Sequence, residues 1–277
     1  MFAGLSDRQW LWFAAGFYLA SFLLGVSRRG RAGAWIYALA GFGYALQFVG
    51  LYLRGREDGG CPLGNLFEIL QFTAWSAMTL YLVIGVTFRS SLLGYCTAGL
   101  GAALTLASLA VPDWDSSRNA HLFGGNPWIE LHAALAIFSY GVFGLLALTS
   151  TLFLLRHYSL KSKRIGGWFS FLPSILDLDH IGVRLLTAGV ALLFGSLVLG
   201  AVYWAHDTSL VTASKLLITV PVWVAYAAAL TLRLRGRLLA KRFAWTCVLL
   251  FLVALISLAP VNASRHPEPE RIAIQPA

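Results

Sequence analysis

Histidines are the residues in this chain best suited to chemistry. His132 closes the stretch Asn126-Pro127-Trp128-Ile129-Glu130-Leu131-His132, where a polar segment turns into an apolar run, and His266 lies just past the end of another such run. A neutral imidazole at such a boundary can ligate heme iron or another metal; equally, it can be an interfacial side chain bonded to a neighbouring carbonyl. Two histidines from different helices at one membrane face could fill both axial positions of a b-type heme, although a tail position by itself better suits a solvated histidine. His206 stands beside Asp207, which could fix its tautomer or simply form a surface ion pair with it; His121 is a second loop histidine. His157 and His180 read as head-group neighbours at the other face.

Glu68 ends Cys61-Pro62-Leu63-Gly64-Asn65-Leu66-Phe67-Glu68, at the start of an apolar run. A carboxylate entering a bilayer is costly, so it should point into a bundle or cap a helix start, with Asn65 as N-cap candidate. The cysteines offer little: a core of roughly 30 Å would separate Cys61 from Cys96 and Cys247, and no CxxC or metal-ligand spacing occurs. Nucleophile–base pairs, phosphate loops and HExxH are also missing, which leaves hydrolase and kinase readings without support.

The elements that must position these groups are membrane helices. Apolar residues make up 58% and charged residues 12% of the chain, with a mean hydropathy of +0.71, a balance that a water-soluble protein of this length would hardly carry. Eight apolar runs, near 10–26, 34–53, 67–87, 92–111, 129–155, 181–204, 214–232 and 243–260, predict an all-α, polytopic transmembrane bundle in one membrane domain, 1–277. Helices are the default, because an open sheet would leave backbone groups unpaired in lipid. No basic region precedes the first run, so a retained helix is expected there rather than a signal peptide.

Charge placement sets the expected orientation. With both termini on the non-cytoplasmic side, the cytoplasmic segments collect 14 of the 21 basic residues, including Arg28, Arg29, Arg31 and the run from Arg233 to Arg242. His121, His132, His206 and His266 then lie outside. The net charge of +9 reflects this topology and anionic lipid head groups, not nucleic acid. Residues 165–178, with Trp168, Phe169 and Leu172 behind a basic run, predict an interfacial cytoplasmic helix. Trp10, Trp12, Trp35, Trp128, Trp168, Trp204 and Trp245 are read as lying near span ends, where aromatic belts form.

Over about residues 35–266 the chain resembles the cytochrome c assembly family of polytopic membrane proteins. The segments that carry the resemblance are Cys61 to Glu68 with Phe72 and Trp75-Ser76; Asn126 to His132 with Ser139-Tyr140-Gly141; Leu172-Pro173-Ser174-Ile175 to Asp179 with Arg184-Leu185-Leu186; and Gly200-Ala201-Val202-Tyr203-Trp204-Ala205. The resemblance implies heme b handled at the outer face of a bacterial cytoplasmic membrane, with His132 and His266 as axial ligands. It also implies apocytochrome c and a second assembly subunit with a large external domain as partners, in a possible heme lyase complex; this chain shows no self-contained catalytic site. One departure is clear: the family's tryptophan-rich WGxxWxWD loop is replaced after Ala205 by His206-Asp207-Thr208-Ser209-Leu210-Val211-Thr212, where only Trp204 and Asp207 match. That places the chain closer to the HemX-like or YpjD-like branch, makes His206 a candidate replacement ligand, and leaves open a membrane scaffold or regulator that binds no heme.

Overall fold

The computed structural model describes residues 5–28, 33–88, 91–115, 126–163, 172–206 and 213–263. Every regular element among them is helical: α1 Asp7–Ser27, α2 Ala34–Asp58, α3 Leu66–Phe88, α4 Ser91–Ala110, a short 3-10 turn Pro112–Asp115, α5 Pro127–Lys161, α6 Ile175–His206, α7 Ala213–Leu234 and α8 Ala240–Ala263. Seven of these contain stretches long and apolar enough to cross a membrane; in α7 the apolar stretch is Thr219–Leu234, with Pro221 inside the helix. The chain is an all-α integral membrane bundle, with eight helices where eight apolar runs were read. Residues 165–171 of the expected interfacial helix lie outside the described residues, and 175–178 form the first turn of α6. That span helix therefore starts earlier than the run at 181 indicated, because Ser174 caps it: its hydroxyl accepts from the Asp177 N–H at 3.1 Å and donates to the Asp177 carboxylate at 2.6 Å.

Local sequence explains the other ends as well. Ser6 and Gln9 form a reciprocal capping box at α1. Gly59 ends α2 with φ 69°, a left-handed conformation that costs a residue with a Cβ, and the next amide, Gly60 N–H, returns to the Gly55 carbonyl at 3.0 Å. Asn65 caps α3 as its position suggested, accepting the Glu68 N–H at 2.9 Å, and Asn126 accepts from Trp128 N–H at 3.0 Å with Pro127 opening α5.

Helices α1 to α4 pack together, α5 packs on α6 and α8, and α7 on α6 and α8; α3 against α5 joins the two groups. Helix α5, at 35 residues, is about 52 Å long and exceeds a hydrocarbon core of roughly 30 Å. The buried face of α2 reads Ile36, Ala40, Gly43, Gln47, Gly50, Leu51, Arg54, the three- and four-residue spacing of one helix stripe. Its polar members are all satisfied. Gln47 accepts from the Tyr18 hydroxyl at 2.9 Å and donates to Gln71 Oε1 at 2.9 Å and to Thr105 at 3.2 Å, while Gln71 donates to Ser108 at 2.8 Å. In hydrocarbon an unpaired amide costs several kcal/mol, so this layer fixes the register of four helices rather than merely gluing them.

At the end away from His132, Arg233 of α7 donates to the Asp179 carboxylate of α6 and to the Leu238 carbonyl at 2.9 Å, and its guanidinium lies 5.2 Å from the Phe243 ring of α8. Asp179, one of the quoted motif residues, thus ties three helices at that end.

Candidate functional site

His132 sits on the first turns of α5 against α6. Its Nδ1 lies 2.6 Å from the backbone carbonyl of Ser196, and the Ser196 hydroxyl donates to the His132 carbonyl at 2.8 Å. A carbonyl only accepts, so Nδ1 carries a proton and, in the neutral ring, Nε2 keeps its lone pair. Among the described residues Nε2 has no hydrogen-bond partner. The ring lies over Gly200: a Cβ there would stand 2.7 Å from Cε1 and 3.0 Å from Nδ1. Glycine at that position, in the segment Gly200 to Ala205, is what lets the imidazole seat against α6.

Close by, the connection between α2 and α3 folds onto the start of α5. A Cβ at Gly60 would meet the Glu130 carboxylate at 2.8 Å, so the segments ending in Glu68 and in His132 share one end of the bundle. Burial, followed by Glu130 and Glu68, pushes the Cys61 thiol up to about 12. It is therefore a neutral, weakly nucleophilic thiol at physiological pH. Iodoacetamide at pH 8 should alkylate Cys61 at least a hundredfold more slowly than a free cysteine, with the rate still rising above pH 10, as peptide mapping would show; a rate matching free cysteine contradicts this burial.

Glu68 does both things expected of it. Its Oε1 accepts from Arg54 Nε at 2.6 Å and its Oε2 from the Gly64 N–H at 2.5 Å. Sequence reasoning missed what surrounds it. Arg54, by charge placement one of the seven basic residues on the external side, is fully buried; its Nη1 donates to Asp7 at 2.7 Å and its Nη2 to Asp115. Arg8 reaches the same Asp115 at 3.0 Å, and the Phe67 ring lies 4.6 Å from the Arg54 guanidinium. Five charged groups from α1, α2, α3 and the 3-10 turn thus close one end of the first four helices. The one signal in sequence was spacing: Gln47 and Arg54 share the α2 stripe.

Of the other expected ligands, His206 ends α6, one position inside the helix rather than in the loop, and Trp204 belongs to the same last turn; His266 and His121 lie outside the described residues. No group of three His, Cys, Asp or Glu able to hold a metal ion occurs among the described residues. What His132 offers fits one axial position of a heme: an imidazole nitrogen left open while the opposite nitrogen is tied to a carbonyl, the usual outer support of a metal-ligating histidine.

These features define a helical membrane protein with a supported, open histidine at one end of its bundle. The chain belongs to the cytochrome c assembly protein family, whose model matches residues 63–266, and within it to the HemX-like branch. It is 30% identical to Protein HemX of Bacillus subtilis (strain 168) over 247 residues, 87% of each chain. Protein HemX of Brevibacillus brevis is 30% identical over 216 residues, 77% of this chain and 79% of that protein. Cytochrome c biogenesis protein CcsA of Synechococcus sp. (strain CC9605) is 27% identical over 269 residues, 86% of each.

Proposed function

We propose that this protein handles heme in the biogenesis of c-type cytochromes, holding heme b at the non-cytoplasmic face of a bacterial cytoplasmic membrane with His132 and His266 as axial ligands. Family membership supports the role in c-type cytochrome biogenesis. The observation that carries the heme reading is the His132 seat: Nδ1 on the Ser196 carbonyl, Nε2 open. This tautomer orients the ring before any ligand arrives. Heme, when bound, supplies the macrocycle that is passed on. The sulfur atoms for its attachment must come from apocytochrome c, since Cys61 is held as a neutral thiol and Cys96 and Cys247 are buried in spans. A second assembly subunit with a large external domain would receive the acceptor chain.

A second reading, a scaffold or regulator without heme, is favoured by the departure from the tryptophan-rich loop after Ala205. Complementation separates the two. A strain lacking this gene should lose heme-stained c-type cytochromes and regain them with the wild-type chain but not with His132→Ala. Full rescue by His132→Ala and His266→Ala supports the scaffold, and unaltered cytochromes in the deletion strain overturn both.

A further inference from the structure

A groove of about 300 Å³ opens beside the α2–α3 connection, apart from the His132 seat and the ion cluster. Its walls are Phe48 and Tyr52 of α2 and Phe72 and Trp75 of α3, with Pro62 and Arg56 at its mouth. Phe48 and Trp75 lie 6.1 Å apart and Phe72 and Trp75 5.6 Å. Phe48 and Tyr52 are half exposed on a span helix, where the surrounding solvent is lipid. Phe48, Tyr52 and Arg56 succeed one another at four-residue steps, so one stripe of α2 runs from apolar rings to a guanidinium near the helix end. Arg56 is exposed and makes no ion pair or hydrogen bond among the described residues. Glu57 and Asp58 leave the helix about 100° and 200° further round, away from that stripe.

We propose that this groove binds one anionic glycerophospholipid, an acyl chain lying along Phe48, Phe72 and Trp75 and the phosphate on Arg56. An apolar trough with a single unpartnered cation at the water boundary matches an amphiphile with one anionic head. A zwitterionic lipid offers the same phosphate, but its own ammonium already offsets that charge, so its head group pairs more weakly with Arg56. A porphyrin matches less well: no histidine, cysteine or methionine lines the groove, and Tyr44 already covers one face of Trp75, with ring centroids 5.7 Å apart and planes 10° apart.

The test is native mass spectrometry of the full chain released from detergent micelles, with equimolar dioleoyl phosphatidylglycerol and dioleoyl phosphatidylcholine. One lipid adduct should dominate, retaining phosphatidylglycerol about fivefold over phosphatidylcholine, the effect of one basic side chain on an anionic head group. Arg56→Gln should abolish the preference, Arg56→Lys keep most of it, and Arg237→Gln, which removes a cation from the α7–α8 turn, leave it unchanged. Phe48→Ala should weaken both lipids alike. Because Arg56 is exposed and unpaired, its variants should melt with the wild type. Equal retention of the two lipids by the wild type, survival of the preference in Arg56→Gln, or displacement of the adduct by added hemin would overturn the proposal.

Discussion

Arg54→Leu is expected to be the most damaging single substitution outside the histidine site. The guanidinium serves three carboxylates at once, Nε on Glu68, Nη1 on Asp7 and Nη2 on Asp115, and is itself fully buried. Removing it leaves three buried acids, of which Asp115 keeps its contact with Arg8. Loss of one partner from a buried ion pair costs about 3–5 kcal/mol, and here the shared cation is the partner lost. An apparent melting temperature in detergent lower by roughly 10 °C or more should follow. Arg54→Lys should recover little, since an ammonium cannot span three acceptors held in different directions. Glu68→Gln should cost less: its amide oxygen still accepts from Arg54 while the Gly64 N–H loses its acceptor, and Asp7 and Asp115 keep the charge balanced. Equal melting of Arg54→Lys and wild type would show that charge alone, not the planar fork, holds the cluster.

Gly141→Val should come next. A Cβ at Gly141 would lie 2.1 Å from Ser76 Oγ and 2.8 Å from the Ala77 backbone nitrogen. The hydroxyl can rotate away, but the α3 backbone cannot, so α3 and α5 must separate along the contact that joins the two groups of helices. Overpacking of this kind typically costs about 1–3 kcal/mol; a β-branched side chain against backbone belongs at the upper end or beyond. The readout is limited proteolysis in detergent. The variant should be cut faster than the wild type, and an unchanged digest would mean that the interface yields without opening.

The span helices, their order and the cap at Asn65 were legible because each rests on local sequence: an apolar run long enough to cross, then Asn before the first turn. Glu68 was legible for the same reason, since cost alone dictates that a carboxylate at that depth turns inward. Its partners were not. Asp7, Arg54 and Asp115 come from segments 47 and 61 residues apart along the chain, and charge counting treated Arg8 and Arg54 as topology signals. His132 could be singled out from its place at the head of a helix, but its support could not. Ser196 lies 64 residues away, inside an apolar run where serine looks like filler and Gly200 like a packing residue. The start of α6 was missed because Ser174 and Asp177 cap it in a stretch that aromatic residues made look interfacial.

The most direct measurement is the visible spectrum, oxidised and reduced, of full-length protein purified in detergent from heme-replete cells, wild type beside His132→Ala and His266→Ala. The wild type should show a low-spin Soret band with sharpened visible bands on reduction, and each variant should lose or shift it while His157→Ala, a control at the other end of α5, does not. A heme-free wild type, or a spectrum untouched by His132→Ala, would contradict ligation at the His132 seat.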